Sequence, residues 1–147
     1  MISTKVVKRD YDIDKIKEGK VRVGWWANSK YSGNLTVPQV ARWNEFGTPR
    51  VPARPFVRPA IHRNEQDLRE RLRHQYQDAL RNNKDSMIVL ERFGVYVKGL
   101  IQDEIVSGHH RPNRPSTIKK KGFNAPLRDT LLMLNSITYE TEEVMGK

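Results

Sequence analysis

The chain contains no cysteine, so neither a disulfide framework nor a thiolate metal centre or nucleophile is open to it. Apolar residues are scarce too. A hydrophobic fraction of 37% beside 30% charged residues predicts a domain with much surface, or a subunit that completes its core by assembly. No apolar run approaches the roughly 18 residues that span a bilayer. The first residues, MISTKVVKRDYDIDK, lack the apolar stretch of a signal peptide. The expectation is a soluble product made in the cytoplasm. Acid is short relative to base: 17 Asp and Glu against 27 Lys and Arg give a formal charge of +10. That charge implies attraction to polyanions or to an acidic protein partner, without choosing between them. No GxSxG, HExxH or Walker loop occurs, and the reading is of a protein that is not an enzyme.

What is present is concentrated in residues 39–61, QVARWNEFGTPRVPARPFVRPAI. A polar-aromatic turn (Trp43, Asn44, Glu45, Phe46, Gly47, Thr48) precedes a run punctuated by Pro49, Pro52, Pro55 and Pro59. Proline fixes φ and removes a backbone donor, so this run is expected to be neither a helix nor a central strand. Residues 48–59 are therefore expected to form a stiff, extended surface arm. The arm carries Arg50, Val51, Arg54, Phe56 and Arg58, and Trp43, Glu45 and Phe46 anchor it. These eight are the candidate interface residues, because arginine and aromatic side chains dominate interface hot spots.

The length suits one domain, residues 1–147. Residues 1–20 read as a short helix or a docked extended segment. Alternation at 21–26 predicts a half-buried strand, followed by a loop over 27–34. A short helix is expected over 37–45, with Thr36 as N-cap, Pro38 in the first turn and Gly47 just past the end. Residues 60–82 hold no Gly or Pro and carry a narrow apolar stripe (Ile61, Leu68, Leu72, Tyr76, Leu80), predicting a mostly wet helix. Asp85 or Ser86 then caps a more apolar helix over 87–106, the expected central core helix, ended by Gly108. Residues 108–127 form a long basic loop in which Ser116 caps a single turn ending at Gly122. A short helix capped by Asp129 or Thr130 runs through Leu134, and residues 136–144 read as a last strand with Ile137 and Tyr139 on one face. Strands at opposite ends separated by helices predict an α+β fold: a small antiparallel sheet packed with helices, joining the two ends.

Two constellations carry bland readings. His109 and His110, with His62 and His74 elsewhere, have no acid at ligand spacing, so exposed loop histidines are expected and no metal. Asp103 and Glu104 are successive on a helix, do not face one target, and are expected on a solvated face. Trp25 and Trp26, adjacent in a strand, should take opposite faces, one of them needing a cover. The basic residues Arg111, Arg114, Lys119, Lys120 and Lys121 suit phosphate contacts or mere solubility. No helix-turn-helix, zinc finger or RNA-binding sheet motif accompanies them.

The block VARWNEFGT at 40–48, followed by PARPFVRPA at 52–60, closely resembles the signature of the tailed-bacteriophage neck or tail-completion family, also labelled minor tail or virion morphogenesis proteins. Further motifs keep that family's order: Val23-Gly24, the PSTI of 115–118, Lys121-Gly122, Pro126-Leu127, Asp129-Thr130 and a last strand at 136–139. One position departs: Leu131 stands where the family commonly has glycine. The resemblance covers residue 21 onward and leaves 1–20 untouched. It implies a structural virion protein of the head–tail junction that forms a ring around the DNA channel and joins tail to head. The implied partners are further copies of the chain, the adjacent head-completion or connector and tail-terminator or tail-tube proteins, and the genomic DNA in the lumen. It implies no cofactor and no membrane. The arm would then dock on a neighbouring subunit, and the basic residues 111–121 would face DNA or an acidic ring. Charge alone supports the alternative, a non-specific nucleic-acid-binding protein.

Overall fold

Alternation near the two ends of the sequence becomes a single sheet. In a computed structural model describing residues 16–26, 28, 30, 31, 33–107, 110–122 and 131–144, β1 (Gly19–Gly24) pairs antiparallel with β2 (Thr138–Glu143). Lys20 lies opposite Glu142, Arg22 opposite Glu140 and Val23 opposite Tyr139. The two strands pair as expected, but β1 stops before the tryptophans. Trp25 leaves the ladder: its indole N–H donates to the Met133 carbonyl at 2.7 Å, and its ring meets Phe56 edge-on with centroids 5.7 Å apart. Trp25 and Trp26 are thus not a strand pair on opposite faces, and both are half-buried.

One face of the sheet lies on α4 (Met87–Ser107), the expected long helix. Val89, Leu90, Val97, Ile101 and Ile105 are buried along it, as their spacing requires. Helix and sheet approach too closely for a side chain at two glycines. A Cβ on Gly94 would lie 2.6 Å from the Tyr139 ring, and one on Gly19 would lie 2.5 Å from Leu90 Cδ1. Asp85 Oδ1 accepts the Met87 N–H at 2.8 Å at the head of α4. The neighbouring Ser86 hydroxyl, fully buried, accepts from Lys17 N–H at 2.8 Å and donates to Lys17 O at 3.1 Å, docking the entry to β1.

The remaining helices are α1 (Val37–Phe46), α2 (Val57–Arg63), α3 (Glu65–Arg81), α5 (Pro115–Lys121) and α6 (Leu132–Ser136). The single helix expected over 60–82 is two. The chain breaks at Asn64 (φ −109, ψ 11), whose side-chain amide donates to Ala60 O at 2.8 Å. α2 also starts before Pro59, because a proline in the first turn lacks an N–H that would be unpaired anyway. α3 is held to α4 by Arg71, 3.9 Å over the Tyr96 ring, and by the Tyr96 hydroxyl donating to Asp67 Oδ2 at 2.7 Å. α5 is longer than a single turn capped by Ser116. Arg114 is its N-cap, Pro115 opens it, and Gly122 in the left-handed region (φ 83) ends it. α6 continues past Leu134 to Ser136, and its N-cap is Leu131 (φ 55), not Asp129 or Thr130. The expected roles of residues 1–15, Gly108, His109 and Pro126-Leu127 fall outside the described residues. Val37 and Ala41 of α1, Phe56 before α2, Ala60 of α2, Ile101 and Ile105 of α4, and Met133 and Ile137 form one core.

Candidate functional site

α1 and the chain that follows it form one unit. Thr36 Oγ1 accepts the Gln39 N–H at 3.4 Å, and Gln39 Oε1 accepts the Thr36 N–H at 3.1 Å, a reciprocal cap. Gly47 (φ 78) stops the helix, donating its N–H to Trp43 O at 2.8 Å. A Cβ there would be 2.9 Å from Ala53 N, so glycine is required twice over. Thr48 and Val51 then exchange backbone hydrogen bonds at 2.8 and 3.2 Å, closing a turn with Pro49 at its second position. Arg54 N–H donates to Asn44 O at 2.7 Å, returning the chain to the end of α1. Residues 48–59 are therefore not an extended arm. They make a closed turn, a short irregular return and the first turn of α2.

The candidate interface residues divide into two sets. Glu45, Arg54 and Phe56 are only 5%, 8% and 0% exposed, so the chain itself buries them and they offer a neighbour nothing. Glu45 explains the geometry. Its Oε2 accepts the N–H groups of Phe56 and Val57 at 2.8 and 2.9 Å, and its Oε1 accepts Arg58 N–H at 3.1 Å and Arg58 Nε–H at 2.8 Å. One carboxylate thus satisfies the first donors of α2. Arg58 also donates from Nη2 to Glu45 O at 2.8 Å and lies 4.9 Å over the Phe46 ring. Burial by itself would raise the Glu45 pKa, but the hydrogen bonds from Phe56, Arg58 and Val57 outweigh it and hold the carboxyl below its ordinary value. Phe56 goes inward because the alternation after Pro55 points it at Trp25 and the α1–α4 core.

The basic segment is tied to this unit instead of standing apart from it. Arg54 donates from Nε to Arg111 O at 2.8 Å and from Nη2 to Pro112 O at 3.1 Å, and Arg114 Nη2 donates to Arg50 O at 3.0 Å. Burial lowers the Arg54 pKa. The side chains of Arg111, Arg114, Lys119 and Lys120 are exposed, while Lys121 closes α5. Beside Arg54 lies a cluster that sequence spacing did not reveal. Arg63 binds both oxygens of Glu104 at 2.8 and 3.1 Å, and the His110 ring meets Glu104 O at 2.9 Å. Glu104 is accordingly buried, not on a solvated face, and His110 is half-buried, not an exposed loop histidine. No local signal connects residues 63, 104 and 110; only the approach of α2 to α4 joins them.

The outward set is Trp43, Phe46, Arg50, Val51 and Arg58. Trp43, Phe46 and Val51 are 42%, 65% and 39% exposed. Trp43, Val51 and Arg50 share one shallow depression, with the Arg58 guanidinium against Phe46. This surface can bury aromatic and aliphatic area and offer guanidinium donors at its rim. It holds no acid–base pair. Among the described residues no group of three or more His, Cys, Asp or Glu is placed to hold a metal ion. Nor is any described helix long and apolar enough to cross a membrane. No protein-family model matches the sequence, and no curated protein and no solved structure is significantly similar to it.

Proposed function

We propose that this chain is a non-enzymatic, ring-forming subunit of a bacteriophage head–tail junction, acting in the neck or in tail completion. The observation that carries the reading is the exposure of Trp43 and Phe46, three residues apart on α1, with Arg50 and Val51 in the depression beside Trp43 and Arg58, held by the Glu45 cap, over the Phe46 ring. Exposed aromatics clustered with arginine on a rigid base are the chemistry of an interface hot spot. The order of motifs shared with the neck and tail-completion family supplies the setting. Ring contacts are heterologous, with one surface meeting a different surface of the next copy. Arg111, Lys119 and Lys120 are exposed and positive, which suits DNA in a lumen or an acidic neighbouring ring.

The test is assembly. Trp43→Ala with Phe46→Ser should leave circular dichroism and thermal unfolding near those of the unaltered chain and abolish rings in mass photometry. Rings of undiminished occupancy would sink the assignment of this surface. Reversing Lys119 and Lys120 to Glu should abolish tail joining in a complementation assay while leaving rings intact. Tight, steeply salt-dependent DNA binding by the isolated monomer would instead favour the non-specific nucleic-acid-binding reading.

A further inference from the structure

Among the described residues neither edge of the two-stranded sheet has a partner strand, and the register states which backbone groups line those edges. Val144 N–H donates to Glu18 O at 2.8 Å, so residues 18 and 144 form a hydrogen-bonded pair of the ladder. In an antiparallel ladder such pairs recur at every second residue. With Lys20 opposite Glu142 and Arg22 opposite Glu140, the backbone groups of these four residues are used between the strands. Those of Val21 and Val23 on β1, and of Tyr139 and Thr141 on β2, point outward. Among the described residues nothing bonds them.

The side chains sort by the same alternation. Val21 and Tyr139 lean on α4 at Gly94, whereas Lys20, Arg22, Glu140 and Glu142 are exposed on the far face. On that face β1 carries only positive charge and β2 only negative. Two β1 edges brought together would oppose cations, and two β2 edges would oppose carboxylates, both unfavourable for cross-strand pairs. A β1 edge against the β2 edge of a second copy opposes unlike charges. If Val21 sits opposite Thr141 of that copy, Lys20 faces Glu142 and Arg22 faces Glu140, repeating the pairing already made within the chain.

We propose that copies of this chain join edge to edge, β1 of one to β2 of the next, so that the sheet runs continuously through the assembly. The inference rests on the ring reading and supplies one of its contacts. It is heterologous, and a closed cycle of such pairs leaves no free edge. Residue-resolved hydrogen exchange tests it on the unaltered chain. The amides of Lys20, Arg22, Glu140 and Glu142 are expected to be protected in monomer and assembly alike. Those of Val21, Val23 and Thr141 are expected to slow by about tenfold or more only on assembly. Thr141→Pro removes one outward N–H and leaves the internal ladder whole, at a position where an edge strand tolerates proline. It should give a folded monomer that no longer assembles. A chain with all four charges exchanged (Lys20→Glu, Arg22→Glu, Glu140→Lys and Glu142→Lys) keeps unlike charges across its own ladder. It should assemble with itself but be excluded from rings of the unaltered chain, and freely mixed rings would overturn edge pairing. Rings whose Val21 and Thr141 amides stay fast, or rings formed by Thr141→Pro, overturn edge pairing and leave the ring reading standing. A chain that stays monomeric at every concentration overturns both.

Discussion

Glu45→Gln isolates the group on which the whole 37–63 unit turns. The carboxylate accepts four hydrogen bonds, two at each oxygen. A glutamine of the same shape keeps one oxygen and places an NH2 against the other two donors. A hydrogen bond to a charged group contributes about 1.5–3 kcal/mol, and a buried donor left unpaired costs a similar amount. Two lost bonds, relieved by water reaching the exposed Arg58 guanidinium, give an expected destabilisation of about 3 kcal/mol. That is a large share of the 5–15 kcal/mol or so that holds a typical domain folded. Urea unfolding followed by tryptophan fluorescence measures it, with an unchanged denaturant slope as the control for an unaltered unfolded state. Acid dependence gives a second readout. Because the folded carboxyl lies below its ordinary value, its contribution is fully present above the unfolded pKa and is lost as pH falls through the folded one. The gap between the two proteins should therefore be constant from neutral pH to about pH 4.3 and shrink below it. A destabilisation under about 1 kcal/mol, less than one ordinary hydrogen bond, would refute the capping role. A gap that widened in acid would refute the sign of the pKa shift.

Phe56→Ala tests whether the return segment belongs to the core of its own chain. It should lower unfolding free energy by about 3–5 kcal/mol; a folded protein of unchanged stability that merely failed to assemble would restore Phe56 to the intersubunit role. Gly94→Ala should destabilise by about 1–3 kcal/mol through crowding against Tyr139, even though alanine favours the helix by about 1 kcal/mol. A gain in melting temperature would mean that the sheet slides off α4 at little cost.

The elements governed by local chemistry were legible. Thr36 and Gly47 bound α1, the apolar period of α4 marks the central helix, and alternation at both ends gives the antiparallel pair. Misreadings arose where a distant contact decided. Four prolines within eleven residues exclude a long helix, but they do not say whether the segment leaves the surface or folds back. The answer lay in Glu45, whose position in the last turn of α1 lets one carboxylate cap a second helix. Pro59 was itself a missed signal, since proline is at home in a first turn. The break at Asn64 was hidden because residues 60–82 hold no Gly or Pro, and the one local signal was Asn64 itself, a residue type that favours helix ends over helix interiors. As for the candidate site, arginine and aromatic side chains are legible as groups able to make strong contacts, but which of them are used within the chain depends on packing that spacing alone does not carry.

The sidedness of α1 makes the strongest physical case for a binding role. Ala41 and Glu45, four residues apart, face inward, while Trp43 and Phe46 face outward. An ordinary amphipathic helix would bury the aromatics and leave the acid in water. Here the acid is inside because α2 needs its oxygens, and that orientation commits the aromatics to the surface. Leaving a side chain like Phe46 mostly exposed forgoes about 1–2 kcal/mol of burial. Had the only demand been a stable monomer, a polar residue at 43 or 46 would have met it without disturbing the Glu45 cap. On the proposed reading an exposed aromatic gains burial against a neighbouring copy, and Arg58 ties that surface to the fold: one guanidinium closes the cap on Glu45 and lies over the Phe46 ring.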